Sequence, residues 1–133
     1  MSSATDSSYL NPRHQGVAGL GAAIAYFTRC GYPVFIPISE CQRYDLVVEM
    51  DGTLKRIEVK TSTGKNRNGK WPLVWVRTSG KNSNSIAYQK LDWNSIDFLF
   101  VHVIGGDQYL IPSHPGLPES AMTLGENYNQ FII

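Results

Sequence analysis

Asp45, Glu58 and Lys60 are the residues of this chain whose types and spacing suit acid–base and metal chemistry. They lie in the stretch YDLVVEMDGTLKRIEVK, residues 44–60. Residues 44–50 and 53–60 each alternate in strand fashion, and Asp51-Gly52 between them is a strong two-residue hairpin signal. With that pair as the loop, Met50 faces Thr53, and the same register carried along the ladder sets Asp45 opposite Glu58. Side chains on a strand repeat every two residues, so Lys60 shares their face. Leu46, Val48, Met50, Ile57 and Val59 occupy the other face, an apolar set that belongs to a core. A slip of one residue would expose that set, so the core holds the register.

Carboxylates facing each other across a strand pair repel. A divalent cation relieves the conflict, because Asp and Glu oxygens are hard ligands suited to Mg²⁺, commonly alongside waters and a substrate phosphate. Lys60 beside such an ion would orient or deprotonate a water, or neutralise charge on a phosphate. The bland reading is a solvated face, with Glu58 and Lys60 neutralising each other and Asp45 closing a loop. Hairpin geometry alone leaves both open.

Asp45 followed by Glu58-Val59-Lys60 resembles the D…(D/E)xK signature of the PD-(D/E)XK nuclease superfamily. That pattern is short and degenerate, but more of the chain agrees with it. GYPVFIPISE before YDLVV, and IDFLFVHV leading to YLIP, resemble the group-I-intron-associated branch of the superfamily, across residues 15 to 112. The resemblance implies a restriction-endonuclease-like αβββαβ core and a Mg²⁺-dependent DNA endonuclease, with Mn²⁺ as a substitute ion. It implies Asp45, Glu58 and the backbone carbonyl of Val59 as metal ligands. Related families often carry a further Glu early in the first helix; here that position is Leu20, which puts a second metal site in doubt.

Composition and charge bound the alternatives. At 133 residues, 42% hydrophobic and 17% charged, the sequence predicts one globular α/β domain over 1–133, with a loose lead-in at 1–10. There is no membrane-spanning run and no signal-peptide pattern at the start. Cys30 and Cys41 form neither a CxxC nor a zinc spacing, which predicts a reduced, cytoplasmic setting. His14, His102 and His114 are scattered. Net charge is only +1, but residues 54–90 hold nine basic residues against Glu58 alone, while the remainder holds three basic and ten acidic. A basic third of this kind attracts phosphate backbones whatever the total.

The elements that must position the site follow in order. Asn11-Pro12 starts a helix, Gly31 ends it, and Val17, Leu20, Ile24 and Phe27 mark its expected buried stripe. Gly16, Gly19 and Gly21 inside it cost roughly 1 kcal/mol each and predict either close packing on a sheet or a later start. Residues 32–38 are expected as a first strand. Glu40, Gln42 and Arg43 follow in a loop, Glu40 as a solvated acid or a further metal contact, Gln42 and Arg43 as candidate phosphate contacts. Residues 61–70 form a polar loop in which Lys65, Arg67 and Lys70 have the composition of a DNA contact. Trp71 reads as core. Strands are expected at 72–77, 96–104 and 108–112, a polar loop at 79–85 and a second helix at 84–94 with Ile86, Leu91 and Trp93 inward. The apolar tail end suggests an edge strand or a dimer contact.

These elements give a mixed sheet flanked by helices. Two substrates compete within the nuclease reading: a specific site on duplex DNA, as in homing enzymes, and a Holliday junction. A catalytically silent DNA-binding module is a third reading, which loss of any of Asp45, Glu58 or Lys60 would have favoured. One site cuts one strand, so a homodimer or higher homo-oligomer is expected.

Overall fold

The computed structural model describes residues 11–39, 41–65, 69–79 and 88–133. The first helix, α1 (Pro12–Arg29), starts as the sequence predicts. The Asn11 side chain accepts a hydrogen bond from the His14 N–H at 2.9 Å, and Pro12 needs no partner of its own. At the other end Gly31 takes φ +83°, and the N–H groups of Gly31 and Tyr32 return to the carbonyls of Thr28 and Phe27. This closes the helix in a Schellman motif.

A five-stranded mixed sheet carries the site. Its strands are β1 (Val34–Phe35), β2 (Leu46–Met50), β3 (Thr53–Ser62), β8 (Phe98–Val103) and β9 (Gln108–Pro112), in the order β1-β2-β3-β8-β9. β3 is central, antiparallel to β2 and parallel to β8. The hairpin has the expected register from Met50↔Thr53 to Leu46↔Ile57. Asp51 and Gly52 take φ of 51° and 81°, which a two-residue type I′ turn requires. A second sheet is built from β4 (Gly64–Lys65), β5 (Pro72–Trp75) and β10 (Ala121–Thr123), in the order β10-β5-β4. β6 (Thr78–Ser79) and β7 (Tyr88–Gln89) form a separate ribbon.

Both faces of the main sheet are covered. On the helix side Ala23 and Phe27 pack with Leu46, Val48, Ile57 and Phe100, the apolar set the hairpin pattern assigns to a core. On the other side Leu99, Val101, Tyr109 and Ile111 meet Val74 and Val76 of the β5 segment, with Leu91, Trp93, Met122 and Leu124. The Glu58–Lys60 face therefore looks into a protein interior and not into open solvent.

Several expectations need correction. Val17 is 68% exposed, and the buried stripe runs instead through Gly19, Ala23 and Phe27, with Leu20 and Ile24 at its margins. The reason is contact distance: a Cβ at position 19 would overlap Thr61 Oγ1, so small residues face the sheet. Only Gly19 has this role, since Gly16 and Gly21 face open space and the helix start is not delayed. No helix forms in the described part of 84–94, where β7 is followed by a single 3-10 turn at Trp93–Ser95 capped by Asp92. Leu91 and Trp93 are buried nonetheless, with Trp93 Nε1 donating to the Pro118 carbonyl at 3.0 Å. The first strand is trimmed to two residues and the strand at 72–77 to four. An edge strand, β10, does form and pairs with β5, but upstream of the apolar tail end, where Phe131 closes a 3-10 segment and Ile132 makes one bridge to Tyr109.

Gly19→Ala is expected to destabilise the protein by about 1–3 kcal/mol despite the better helix propensity of Ala. In a Thr61→Ala background the same change should be neutral or stabilising. Urea unfolding of the four proteins of this cycle checks the sign reversal.

Candidate active site

Glu58 and Lys60 project from the central strand, and the parallel register places them beside Leu99 and Val101 of β8. Glu58 is 4% exposed. Its Oε1 lies 3.5 Å from Lys60 Nζ, and its Oε2 is buried with no hydrogen-bond partner. Lys60 Nζ also lies 3.5 Å from the Arg77 carbonyl, so the ammonium bridges the two sheets.

Asp45 sits one residue before β2, at the point where the ladder departs from regular pairing. Its N–H donates to the Ile57 carbonyl at 2.8 Å, and its Oδ2 accepts from the Val59 N–H at 2.8 Å. The side chain thus takes the place of a backbone acceptor, which fixes the carboxyl against β3 next to Glu58. Asp45 remains open to solvent at the rim of the site.

Electrostatics follow from this arrangement. Burial pushes the Glu58 carboxyl up to about 7, the Asp45 charge adds to the rise, and Lys60 and Arg43 act against it. At 3.5 Å from only one oxygen, Lys60 does not offset the desolvation. Asp45 is raised as well, by the protein crowded around it, with the Val59 N–H and Lys60 opposing. A buried carboxylate with an orphaned oxygen, facing a second carboxylate, lacks a positive partner at that oxygen. A divalent cation fits these residues, and in its absence a proton is held instead.

The helix adds no ligand. Leu20 packs in the helix-side core, and among the described residues no group of three His, Cys, Asp or Glu side chains could hold a metal ion. An ion entering this site would meet the Asp45 and Glu58 carboxylates.

The candidate DNA contacts are placed unevenly. Arg43 is engaged: it donates to Thr78 Oγ1 at 3.2 Å and to the Lys90 carbonyl at 2.8 Å, tying the β6–β7 ribbon to the loop that leads into Asp45. Gln42 is exposed and accepts from Ser39 Oγ at 3.1 Å. Lys65 lies on β4, and Lys70 stands 5.3 Å over the Trp71 ring. Lys70 and Trp71 line a cavity of about 360 Å³ with the Gly105–Asp107 turn, to which none of Asp45, Glu58 and Lys60 contributes. Arg67 and Glu40 lie outside the described residues. Trp71 is half-buried against Gly125.

Two supports escaped sequence reading. Asp97 accepts the Arg56 N–H at 2.7 Å and pairs with its guanidinium at 3.2 Å, pinning β8 against β3. Ser62 Oγ donates to the Leu73 carbonyl at 2.6 Å and joins the sheets beyond Lys60. The buried serine two residues after Lys60, on the same strand face, was the available signal for the second.

A mixed sheet whose central strand bears Glu58 and Lys60, with Asp45 at the end of its neighbour, defines a PD-(D/E)XK nuclease fold. The chain belongs to the PD-(D/E)XK endonuclease family, whose sequence model matches residues 10–126. Its structure is similar to that of the bacterial homing endonuclease I-Ssp6803I, with a TM-score of 0.71 and 25% identity, covering 88% of this chain and 80% of that one. Protein 5.3 of Escherichia phage T7 is 38% identical over 60 residues, which are 44% of this chain and 51% of that protein. The match thus spans about half the length of that relative. No helix among the described residues is long and apolar enough to cross a membrane, and Cys30 and Cys41 are free and exposed.

Proposed function

We propose that this protein is a metal-dependent DNA endonuclease that hydrolyses phosphodiester bonds at the Asp45–Glu58–Lys60 site. The buried Glu58 carboxyl, with Oε2 unpartnered and Oε1 3.5 Å from Lys60, under the influence of the Asp45 charge, carries this reading. Asp45, Glu58 and the Val59 carbonyl would hold Mg²⁺, or Mn²⁺ in its place. Such an ion supplies Lewis-acid stabilisation of charge developing on the phosphate. Asp45 orients its carboxyl through the Val59 N–H, and Glu58 would release its proton when a cation binds beside it. Lys60 positions the attacking water and offers charge to the phosphate from a fixed point between the sheets. A cleavage assay with Mg²⁺ or EDTA, on plasmid, linear duplex and four-way junction, tests the reading. Cleavage that persists in EDTA, or is unchanged in Asp45→Ala, would falsify it.

Likeness to a homing endonuclease supports site-specific cleavage of duplex DNA. The runner-up is junction resolution, and symmetric cutting of a four-way junction with random duplex left intact would favour it. A silent DNA-binding module has less support, because all three site residues are present. One such site per chain suits a homodimer or larger assembly cutting two strands. A light-scattering mass of one chain on cleavable DNA would rule that out.

The basic segment 54–90 supports DNA as the partner. Binding is expected to weaken steeply with salt, and replacing Lys65, Arg67 and Lys70 by Ala should flatten the slope of log affinity against log salt by about two to three. Titrations at several salt concentrations check it. An unchanged slope assigns the contact surface elsewhere, with Gln42 and the β6–β7 ribbon next to be tested.

A further inference from the structure

We propose that Trp75, Arg77 and Tyr88 form a contact for an unpaired DNA strand beside the active site. Resting on the nuclease reading above, this adds a contact for an unpaired stretch of the DNA that the site acts on. The β5 segment buries Val74 and Val76 and turns Trp75 outward, and both Trp75 and Tyr88 are 51% exposed. The Arg77 guanidinium lies between them, 4.3 Å from the Trp75 ring centre and 3.8 Å from that of Tyr88. Two aromatic rings are therefore half in water at one place, around one cation.

That cation is uncommitted. Among the described residues the ion pairs are Arg56–Asp97 and Lys60–Glu58, and no hydrogen bond from the Arg77 side chain is formed. Apart from Glu58, the segment 54–90 holds no acid to neutralise it. Two rings against the guanidinium hold it in place, and with no hydrogen bond formed among the described residues its N–H groups suit a phosphate.

The patch is also coupled to the site. The Arg77 carbonyl lies 3.5 Å from Lys60 Nζ. Arg43, one turn of chain before Asp45, bonds Thr78 and Lys90 on the two arms of the ribbon that carries Tyr88. A strand lying across Trp75 and Arg77 would have a phosphate contact and a stacking face on the segment whose backbone reaches Lys60. Base–aromatic stacking needs an exposed base face, which paired duplex does not offer and a single-stranded or branched segment does. Bracing of the hairpin is the competing explanation of the stack.

The test is binding by fluorescence anisotropy in EDTA, with a labelled oligo-dT strand and a fully paired duplex of equal length. Trp75→Ala should weaken oligo-dT binding roughly five-fold or more and duplex binding far less, while Trp75→Phe restores it. Arg77→Gln should weaken binding and lower the salt slope by about one, as loss of one phosphate contact requires. Unchanged strand binding in Trp75→Ala and Arg77→Gln overturns the proposal. So does an equal loss for both DNAs together with a lowered melting temperature, which would make the stack a brace only. Glu58→Gln separates the two readings, since it should bind the strand like wild type without cutting. If wild type cuts DNA and Trp75→Ala binds unchanged, this inference falls and the nuclease stands. A wild-type protein that neither binds nor cuts any DNA removes both.

Discussion

Glu58→Gln is expected to abolish cleavage and, in EDTA above pH 7, to raise the melting temperature. Loss of activity should be roughly a hundred-fold or more, since even groups one shell removed from a metal cost about 10–100-fold. The stability gain follows from the raised carboxyl. Between the ordinary glutamate value of 4.5 and about 7, folded Glu58 keeps a proton that the unfolded chain has released. The folded state binds more protons across that window, so stability falls as pH rises through it and stays low above. For so buried a group the loss is on the order of 3 kcal/mol once ionisation is complete. Gln removes the charge, so melting curves of the variant should lack this pH dependence, match wild type near pH 4.5, and exceed it by several degrees at pH 8. Adding Mg²⁺ should raise the wild-type melting temperature and leave the variant unmoved. A variant that cleaves DNA, or a wild type that gains stability from pH 5 to 8, contradicts the assignment.

Lys60→Met should have the second-largest effect, and its two consequences have different pH dependence. Cleavage is expected to fall about 10²–10⁴-fold, the usual worth of a positioned proton-transfer group. Stability should fall as well, because Glu58 loses its nearest counter-charge in an interior position. That penalty belongs to the ionised form of Glu58, so it should be several-fold larger at pH 8 than at pH 5, where the carboxyl is protonated. Lys60→Arg keeps the charge and should keep most of the stability. Its planar, longer head group does not reproduce the point between Glu58 Oε1 and the Arg77 carbonyl, so activity should stay low. Equal destabilisation by Lys60→Met at both pH values would show that the ammonium and Glu58 are uncoupled.

What could be read from the sequence was local. Asp51-Gly52 and the apolar face from Leu46 to Val59 specify the hairpin register down to Leu46↔Ile57, whereas Asp45 leaves the regular ladder and is held by the Val59 N–H. Asn11, Pro12 and Gly31 likewise delimit α1 through caps written within a few residues. What escaped depends on partners far along the chain. Burial of the Glu58 face requires β5 and β10, which lie some fifty residues apart, and no periodicity in either reveals that they pair. The expected stripe on α1 failed at Val17 because hydrophobicity ranks it above Gly19, whereas contact with Thr61 needs the smaller residue. Leu91 and Trp93 were read rightly as buried, but two buried residues two apart suit an extended chain as well as a helix. Arg43 looked like a surface cation because its acceptors, Thr78 and the Lys90 carbonyl, are unrelated to it in sequence.

The parallel pairing of β3 with β8 bears on when the surroundings of Glu58 form during synthesis. A ribosome releases α1, β1 and the β2–β3 hairpin first, and these can fold against one another while the rest is still being made. At that stage Glu58 and Lys60 already point from β3, but Leu99, Val101 and the strands that enclose them do not yet exist outside the exit tunnel. A carboxylate in water would hold an ordinary pKa there, with no dry cavity around it. Completion waits for β10, which pairs with β5 from far along the chain, and long-range closure of this kind is slow. The dry surroundings of Glu58 therefore form late, only once β10 has joined β5.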